Sequence, residues 1–423
     1  MEHTMRNMRI LQVNTRHFYA GGDSTYAFNL ADVLRSRGHQ VAFFGMQDER
    51  NLPDPNADLF VPYVDFRGLN RRKSVVGGAQ VLSRVIYSRD ARRRFGQMLD
   101  RFQPEAVHLQ NIHAHITPSV IFEARKRGLP VVWTLHDYKL ACPNSHFLID
   151  TTQQVCERCG KHSYYQAVLH RCKKGSLLAS GMAALEAYAH RVMRVRGQVD
   201  FLLAPSAFLQ RKLLERGFSP RQVLHVPHFL REDMFAEATG KNQGYLLFAG
   251  RLTTIKGIHS LLESVGRTPE VKLVLAGQID ETLEPELSRL MPPNAEYVGL
   301  KHGEELHALL RGAMAMVVPS ICYENQPFSI LEAFAVGKPV IACNLGGMTE
   351  LVQDRERGIL VPPGDVAALA KAMRWMVAHP IEAEGMGRAA LAYARQTHTI
   401  DVHYTRLMEI YRHARARRSG GGS

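Results

Sequence analysis

The sequence predicts an α/β protein made of two Rossmann-like domains that face each other across a cleft. Three observations carry this prediction: the length, the alternation of short apolar runs with helical segments, and the grouping of that alternation into two blocks. A chain of 423 residues exceeds what one hydrophobic core serves and calls for two or more domains. Its 45% hydrophobic and 22% charged residues are ordinary for a globular protein in water. Short, nearly continuous apolar runs separated by helical stretches are the pattern of parallel strands buried on both faces.

The first block begins with the strand ILQVN (10–14), a glycine-bearing loop and a helix around 24–38, then VAFFG (41–45). It continues through AVHLQ (106–110), a helix near 117–127, PVVWTLH (130–136), FLLAPS (201–206) and VLHVPH (223–228). The second block contains YLLFAG (245–250), VKLVLAG (271–277), AEYVGL (295–300), AMVVPS (315–320), PVIAC (339–343) and GILVP (358–362). Between them FLREDMFAEATGKNQ (229–243) is polar and irregular. It divides the chain into a first domain, 1–228, and a second domain, 229–399. A last helix at about 400–416 is expected to pack back on the first domain, and SGGGS (419–423) reads as a flexible linker or tag remnant.

No apolar run approaches the roughly 18 residues of a membrane span. MEHTMRNMRILQVN at the N-terminus offers a first strand and no secretory leader, so a cytoplasmic location is expected. Lys and Arg number 53 against 40 Asp and Glu. Between Arg67 and Arg101 there are ten Arg or Lys and two Asp, including Arg92-Arg93-Arg94. A solvated helical face is the plain reading of such a run. Contact with anionic lipid headgroups, or with a phosphate-bearing acceptor, fits the density of charge better. Nucleic acid is not expected, because no aromatic-interleaved motif, finger spacing or helix-turn-helix pattern accompanies the charge.

Four stretches fall at the carboxyl ends of expected strands, where open parallel sheets bind ligands. In FYAGGDSTYAFNLADVLRSRGH (18–39), Gly21-Gly22 lets backbone approach a ligand, and Ser24 or Thr25 can cap the following helix. In AGRLTTIKG (249–257), Arg251 and Lys256 place two cations where a diphosphate would find them. In TLHDY (134–138), His136 ends a strand and is placed to point into the cleft. ICYENQPFSILEAF (321–334) puts Glu324 and Glu332 eight residues apart, a spacing that surface ion pairs do not use. Pro327 suits the first helical position, so Glu324 falls in the loop before a helix and Glu332 in its second turn. The two carboxylates then flank a helix N-terminus, whose unpaired N–H groups attract anions. This geometry calls for one ligand with hydroxyls at two ends and negative charge between them.

Together these stretches resemble the GT-B glycosyltransferases, specifically family 4, the retaining nucleotide-sugar-dependent enzymes, over nearly the whole chain. The most specific element is the pairing of GRLTTIKG with YENQPFSILEAFAVGKPVIACNLGGMTELV. The resemblance implies that Glu332 binds the ribose hydroxyls of the donor and that Glu324 contacts the ring hydroxyls of the transferred sugar. It implies that Arg251 and Lys256 hold the diphosphate, that Gly21 and Gly22 approach the donor phosphate, and that His136 contacts the sugar near the reacting carbon. Many members carry Gly-Phe-Gly just after the first acid, whereas this chain has Asn325-Gln326-Pro327-Phe328-Ser329, which is expected to alter the sugar that fits. His136, Glu324, Arg251 and Lys256 are thus the implied catalytic group. With no DxD motif in a suitable loop and two cations near the phosphate, no catalytic metal is expected. The implied donor is a UDP- or GDP-sugar. The implied acceptor is a saccharide hydroxyl, polyprenyl-diphosphate-linked, in surface or exopolysaccharide assembly at the inner face of the membrane. Nucleotide-sugar epimerases use the same architecture and are the alternative, as is a membrane-binding scaffold with an inactive sugar site.

Six cysteines are present, and Cys142, Cys156, Cys159 and Cys172 share one segment with the order C-x13-C-x2-C-x12-C. In a reducing compartment disulfides are disfavoured. Four thiols in a loop-rich stretch suit a structural zinc ion, with His146, His162 and His170 as substitute ligands; free buried thiols are the plain alternative. The segment 139–175 is therefore expected to be an insertion stapled by Zn2+ after His136.

Overall fold

The apolar runs form two six-stranded parallel sheets. A computed structural model describes residues 7–64, 84–235, 242–281 and 283–419. In the first sheet β1 (Arg9–Val13) pairs with β2 (Gln40–Phe44) and β3 (Ala106–Leu109). Beyond β3 lie β4 (Val131–Thr134), β7 (Phe201–Ala204) and β8 (Val223–His225), giving the order β2-β1-β3-β4-β7-β8. A two-residue antiparallel pairing, β5 (Leu148–Ile149) with β6 (Gln154–Val155), stands apart. The second sheet contains β9 (Tyr245–Ala249), β10 (Lys272–Ala276), β11 (Ala295–Tyr297), β12 (Ala315–Val318), β13 (Val340–Cys343) and β14 (Gly358–Val361). Its order is β11-β10-β9-β12-β13-β14. The order reverses beside β1 in one sheet and beside β9 in the other, which opens a crevice at the carboxyl ends of the strands in each.

Burial follows from composition. Every residue of β3, β4, β7, β12 and β13 is buried, as helices on both faces of a parallel sheet require. One face of the first sheet is covered by the chain's last helix, Ile400–Ser419. Leu407, Met408, Tyr411 and Ala414 pack there with Ile10, Leu30, Val132 and Leu203. Buried polar pairs pin the helix in place: Tyr411 Oη to His108 Nδ1 at 2.6 Å, Tyr404 Oη to His39 Nε2 at 2.8 Å, and His403 Nε2 to Tyr26 Oη at 2.9 Å. Among the described residues no helix is long and apolar enough to cross a membrane.

Much of the basic stretch, 67–83, lies outside the described residues. The described remainder forms the helix Arg89–Phe102, capped by Ser88 Oγ accepting from Ala91 N at 3.1 Å. Its arginines are largely ion-paired: Arg92 with Glu123, Arg93 and Arg94 with Asp90, and Arg101 with Asp58.

Candidate active site

Loops after β1, β4, β9 and β12 build the site. Helix Gly22–Ser36 starts with Gly21 as its N-cap. Ser24 Oγ reaches back to accept from Ala20 N at 2.9 Å and Gly21 N at 3.2 Å, so the serine secures the turn from inside the helix. A Cβ on Gly22 would lie 2.9 Å from Phe328 Cδ2. The bare glycine thus lets the second domain's helix approach this turn.

His136 lies just beyond β4, half-buried. Gln110 Nε2 donates to Gln12 Oε1 at 2.8 Å, which turns Gln110 Oε1 toward His136 Nε2, also at 2.8 Å. An amide oxygen only accepts, so Nε2 carries the proton and Nδ1 is the acceptor. Burial pushes the imidazole below its ordinary pKa, with Asp23 and Asp137 partly opposing the shift, and the ring is neutral near pH 7. It stacks on His228 at 5.2 Å and 17°, and His228 stacks on Phe328 at 5.0 Å and 13°. Three parallel rings therefore run from the first domain into the second.

After β9, Arg251 is exposed. Lys256 ends a single 3-10 turn, Thr254–Lys256, which Gly257 closes with φ 77°. A Cβ on Gly257 would stand 2.0 Å from Pro319 O. Only glycine lets this turn lie against the loop after β12. There Lys256 Nζ sits 2.6 Å from Glu324 Oε1, and Ser320 Oγ donates to the same oxygen at 2.7 Å. Burial pushes the Glu324 carboxyl up, but the Lys256 ammonium and these hydrogen bonds outweigh it and hold the group below the usual carboxylate range.

Glu324 lies in the loop, and Glu332 in the second turn of the helix Phe328–Ala335. Pro327 is the N-cap, with φ −67° and ψ 122°, and the helix starts one residue later than its proline suggested. The extended ψ is what a chain entering from a loop requires. Glu332 makes no ion pair among the described residues, and burial alone raises its carboxyl to about 7. Ser329 is half-buried in the first turn.

Asn325 and Gln326 are buried, and their amides are engaged by the first domain. Asn325 Nδ2 donates to Leu135 O at 2.8 Å, and Ser206 Oγ donates to Asn325 Oδ1 at 2.6 Å. Gln326 Oε1 accepts from His228 N at 2.6 Å. Tyr138 Oη donates to Glu324 O at 2.9 Å. Glu350 of the second domain accepts from Ala207 N and Phe208 N, at 2.9 and 3.1 Å. Sequence reasoning missed Tyr138, Ser206, His228 and Glu350. His228 ends VLHVPH, a strand-end position like that of His136, and this was the available signal. The others act across the domain boundary and carry no local mark.

A small cleft of about 10 Å³, lined by Gln110, Asn111, His113, Trp133 and His136 among others, adjoins this site. A groove of about 620 Å³ lies elsewhere, between the helices Arg89–Phe102 and Ser119–Lys126. It contains none of the residues of the candidate site and is a surface feature.

Residues 231–392 match the family described as glycosyl transferases group 1, and residues 21–228 match the glycosyl transferase 4-like domain. The chain belongs to the group 1 glycosyltransferases. D-rhamnosyltransferase WbpZ of Pseudomonas aeruginosa is 37% identical over 158 residues, 37% of this chain and 42% of that protein. O-antigen chain mannosyltransferase C of Escherichia coli is 29% identical over 140 residues, 32% of this chain and 37% of that protein. These matches span about two-fifths of each relative's length. Among solved structures, sucrose-phosphate synthase from Thermosynechococcus elongatus superposes with a TM-score of 0.71 at 18% identity, over 97% of this chain and 100% of that one. Anabaena HepE in complex with UDP-glucose gives 0.64 at 16% identity, over 95% and 99%. The fold of this group 1 family member is GT-B.

Proposed function

We propose that this chain is a retaining glycosyltransferase that moves a sugar from a nucleoside-diphosphate sugar to a hydroxyl of a saccharide acceptor. The observation that carries the reading is the convergence after β9 and β12: Lys256 and Ser320 grip one oxygen of Glu324, with exposed Arg251 on the loop of Lys256 and with Glu332, which has no ion pair among the described residues, eight residues beyond Glu324. Arg251 and Lys256 neutralise the diphosphate, assisted by the N-terminus of the helix Phe328–Ala335. Glu332, once ionised, accepts from the ribose hydroxyls. Glu324 accepts from the sugar ring, and neutral His136 contacts the sugar from the first domain. The bond from the anomeric carbon to the diphosphate oxygen breaks with its electron pair leaving on oxygen. The acceptor oxygen bonds to the same face of that carbon, and its proton passes to the departing phosphate. Stabilising the leaving charge with fixed cations in a water-poor cleft lowers the barrier, and this chain's own cations do so without a divalent ion.

The donor is a UDP- or GDP-sugar and the acceptor a lipid-linked saccharide in surface polysaccharide assembly; the names of the two bacterial relatives and the UDP-glucose bound to HepE support this reading. The segment 67–101 brings the enzyme to anionic lipid at the inner face of the membrane. A thermal-shift screen of nucleoside diphosphates and their sugars tests the proposal, since a ligand of the native state raises Tm. One nucleotide is expected to raise Tm in the presence of EDTA and to lose its effect in Glu332→Ala. No shift with any of them sinks the proposal, and epimerised donor formed without acceptor favours an epimerase.

A further inference from the structure

The insertion between β4 and β7 is held together by very little. Across 139–175 its regular structure is the two-residue pairing of β5 with β6, the 3-10 turn Gly160–His162 and the five-residue helix Tyr165–Leu169. Seven non-glycine residues between Ser145 and Lys174 have positive φ, a region that L side chains enter at a cost. Its own apolar cluster is Ile149, Cys159, Ala167 and Cys172. So small a core does not offset backbone strain and chain entropy, and segments of this size are normally closed by disulfides or a metal. All six cysteines are free thiols.

Four of those thiols gather in one place. Cys159 and Cys172 share one buried cluster with Cys156 packed against it, and Asn144, two residues after Cys142, donates its Nδ2 to Cys172 O at 2.9 Å. Cys142, Cys159 and Cys172 are 7%, 7% and 6% exposed. Among the described residues no three His, Cys, Asp or Glu side chains stand close enough to hold a metal ion as they are placed. Neutral thiols have no attraction that would draw them to the roughly 3.8 Å spacing that Zn–S bonds of about 2.3 Å impose; the ion supplies it.

We propose that Cys142, Cys156, Cys159 and Cys172 bind one structural Zn2+ ion, and that this knuckle braces the loop carrying Glu324. On binding, four Zn–S bonds form and each thiol releases its proton to solvent, with no change of oxidation state. The brace is Glu157, inside the Cys156–Cys159 turn. It accepts from Tyr323 Oη at 2.7 Å and pairs with Lys212 Nζ at 2.7 Å. Arg216 Nε donates to Ala141 O at 2.7 Å, next to Cys142. The metal assignment stands independently of the proposed reaction.

The test is metal analysis of the purified full chain with stepwise thiol modification. One zinc per chain is expected, released in full when four thiols have reacted, and lost from Cys156→Ser and Cys172→Ser but retained in Cys343→Ala. A metal-free parent chain, zinc that survives both serine substitutions, or iron with sulfide in its place would each overturn the site. Chelation of the wild-type chain is expected to speed amide exchange in 142–172 and in 321–326 together. Faster exchange in the insertion alone would leave the zinc and refute the brace.

Discussion

Glu332 is a carboxylate placed where burial raises it from its ordinary 4.5 to about 7, with no partner among the described residues to oppose the shift. In the unfolded chain it releases its proton near 4.5, so between 4.5 and 7 the folded state holds more protons. Folding stability therefore falls as pH rises through that window and stays reduced above it. Glu332→Gln is expected to stabilise the fold at pH 8 by an amount of order 1–3 kcal/mol, seen as a higher Tm, while abolishing the nucleotide-induced shift. If, as proposed, the ribose hydroxyls donate to the ionised form, nucleotide affinity in the wild type is expected to be about tenfold weaker at pH 6 than on its alkaline plateau. Titration calorimetry across pH checks both the sign and the midpoint. Lys256→Ala removes the partner of a carboxylate that is 14% exposed and should cost about 1–3 kcal/mol, read by urea unfolding, together with most of the activity. The two acids were legible because Pro327 and the apolar run fix the helix start to within one residue. The Lys256–Glu324 pair was not, since 68 residues separate its members and only the folded loops bring them together.

At the scale of elements, the strands could be read because complete burial leaves near-continuous apolar runs. The ends of helices were harder. Ser24 was expected at the start of its helix, but a glycine took the cap and the serine reached back to it. Gly257 makes the clearest single-element test. Its φ of 77° and the 2.0 Å approach of Pro319 O forbid a side chain. Gly257→Ala should destabilise by about 2–4 kcal/mol and displace Lys256, seen as a lower urea midpoint and a raised KM for donor. The last helix was legible as a helix returning to the first domain, but the sheet face it covers was not, because an apolar stripe states that one face is buried without naming what it is buried against. Truncation after residue 399 would expose Ile10, Leu30, Val132 and Leu203, which it now covers. That protein is expected to be insoluble or to bind hydrophobic dyes, whereas truncation after 419 should leave Tm unchanged.

Among the described residues, the contacts between domains join hydrogen bonds at Asn325, Gln326, Tyr138 and Glu350 to ring contacts of Tyr323 and Phe328 with the first domain. Domains of one chain move relative to each other unless their interface is large and apolar. The double substitution Asn325→Ala with Gln326→Ala leaves the backbone groups of Leu135 and His228 without these partners. It should enlarge the radius of gyration seen by small-angle scattering and raise the donor KM several-fold, while each domain keeps its own unfolding transition. None of these contacts was legible in the sequence. The resemblance directed Asn325 and Gln326 toward the sugar, whereas their amides here meet the backbone of the first domain.

The return of the chain into helix Ile400–Ser419 means that the second half is tethered twice, once on leaving the first half and once on coming back. The two crossings are stitched together where His398 Nδ1 meets His228 O at 2.7 Å and Leu230 N donates to His398 O at 2.8 Å. A lobe hung from two adjacent straps is hinged along one line like a door on its frame, which restrains twisting of the proposed donor site against the first domain.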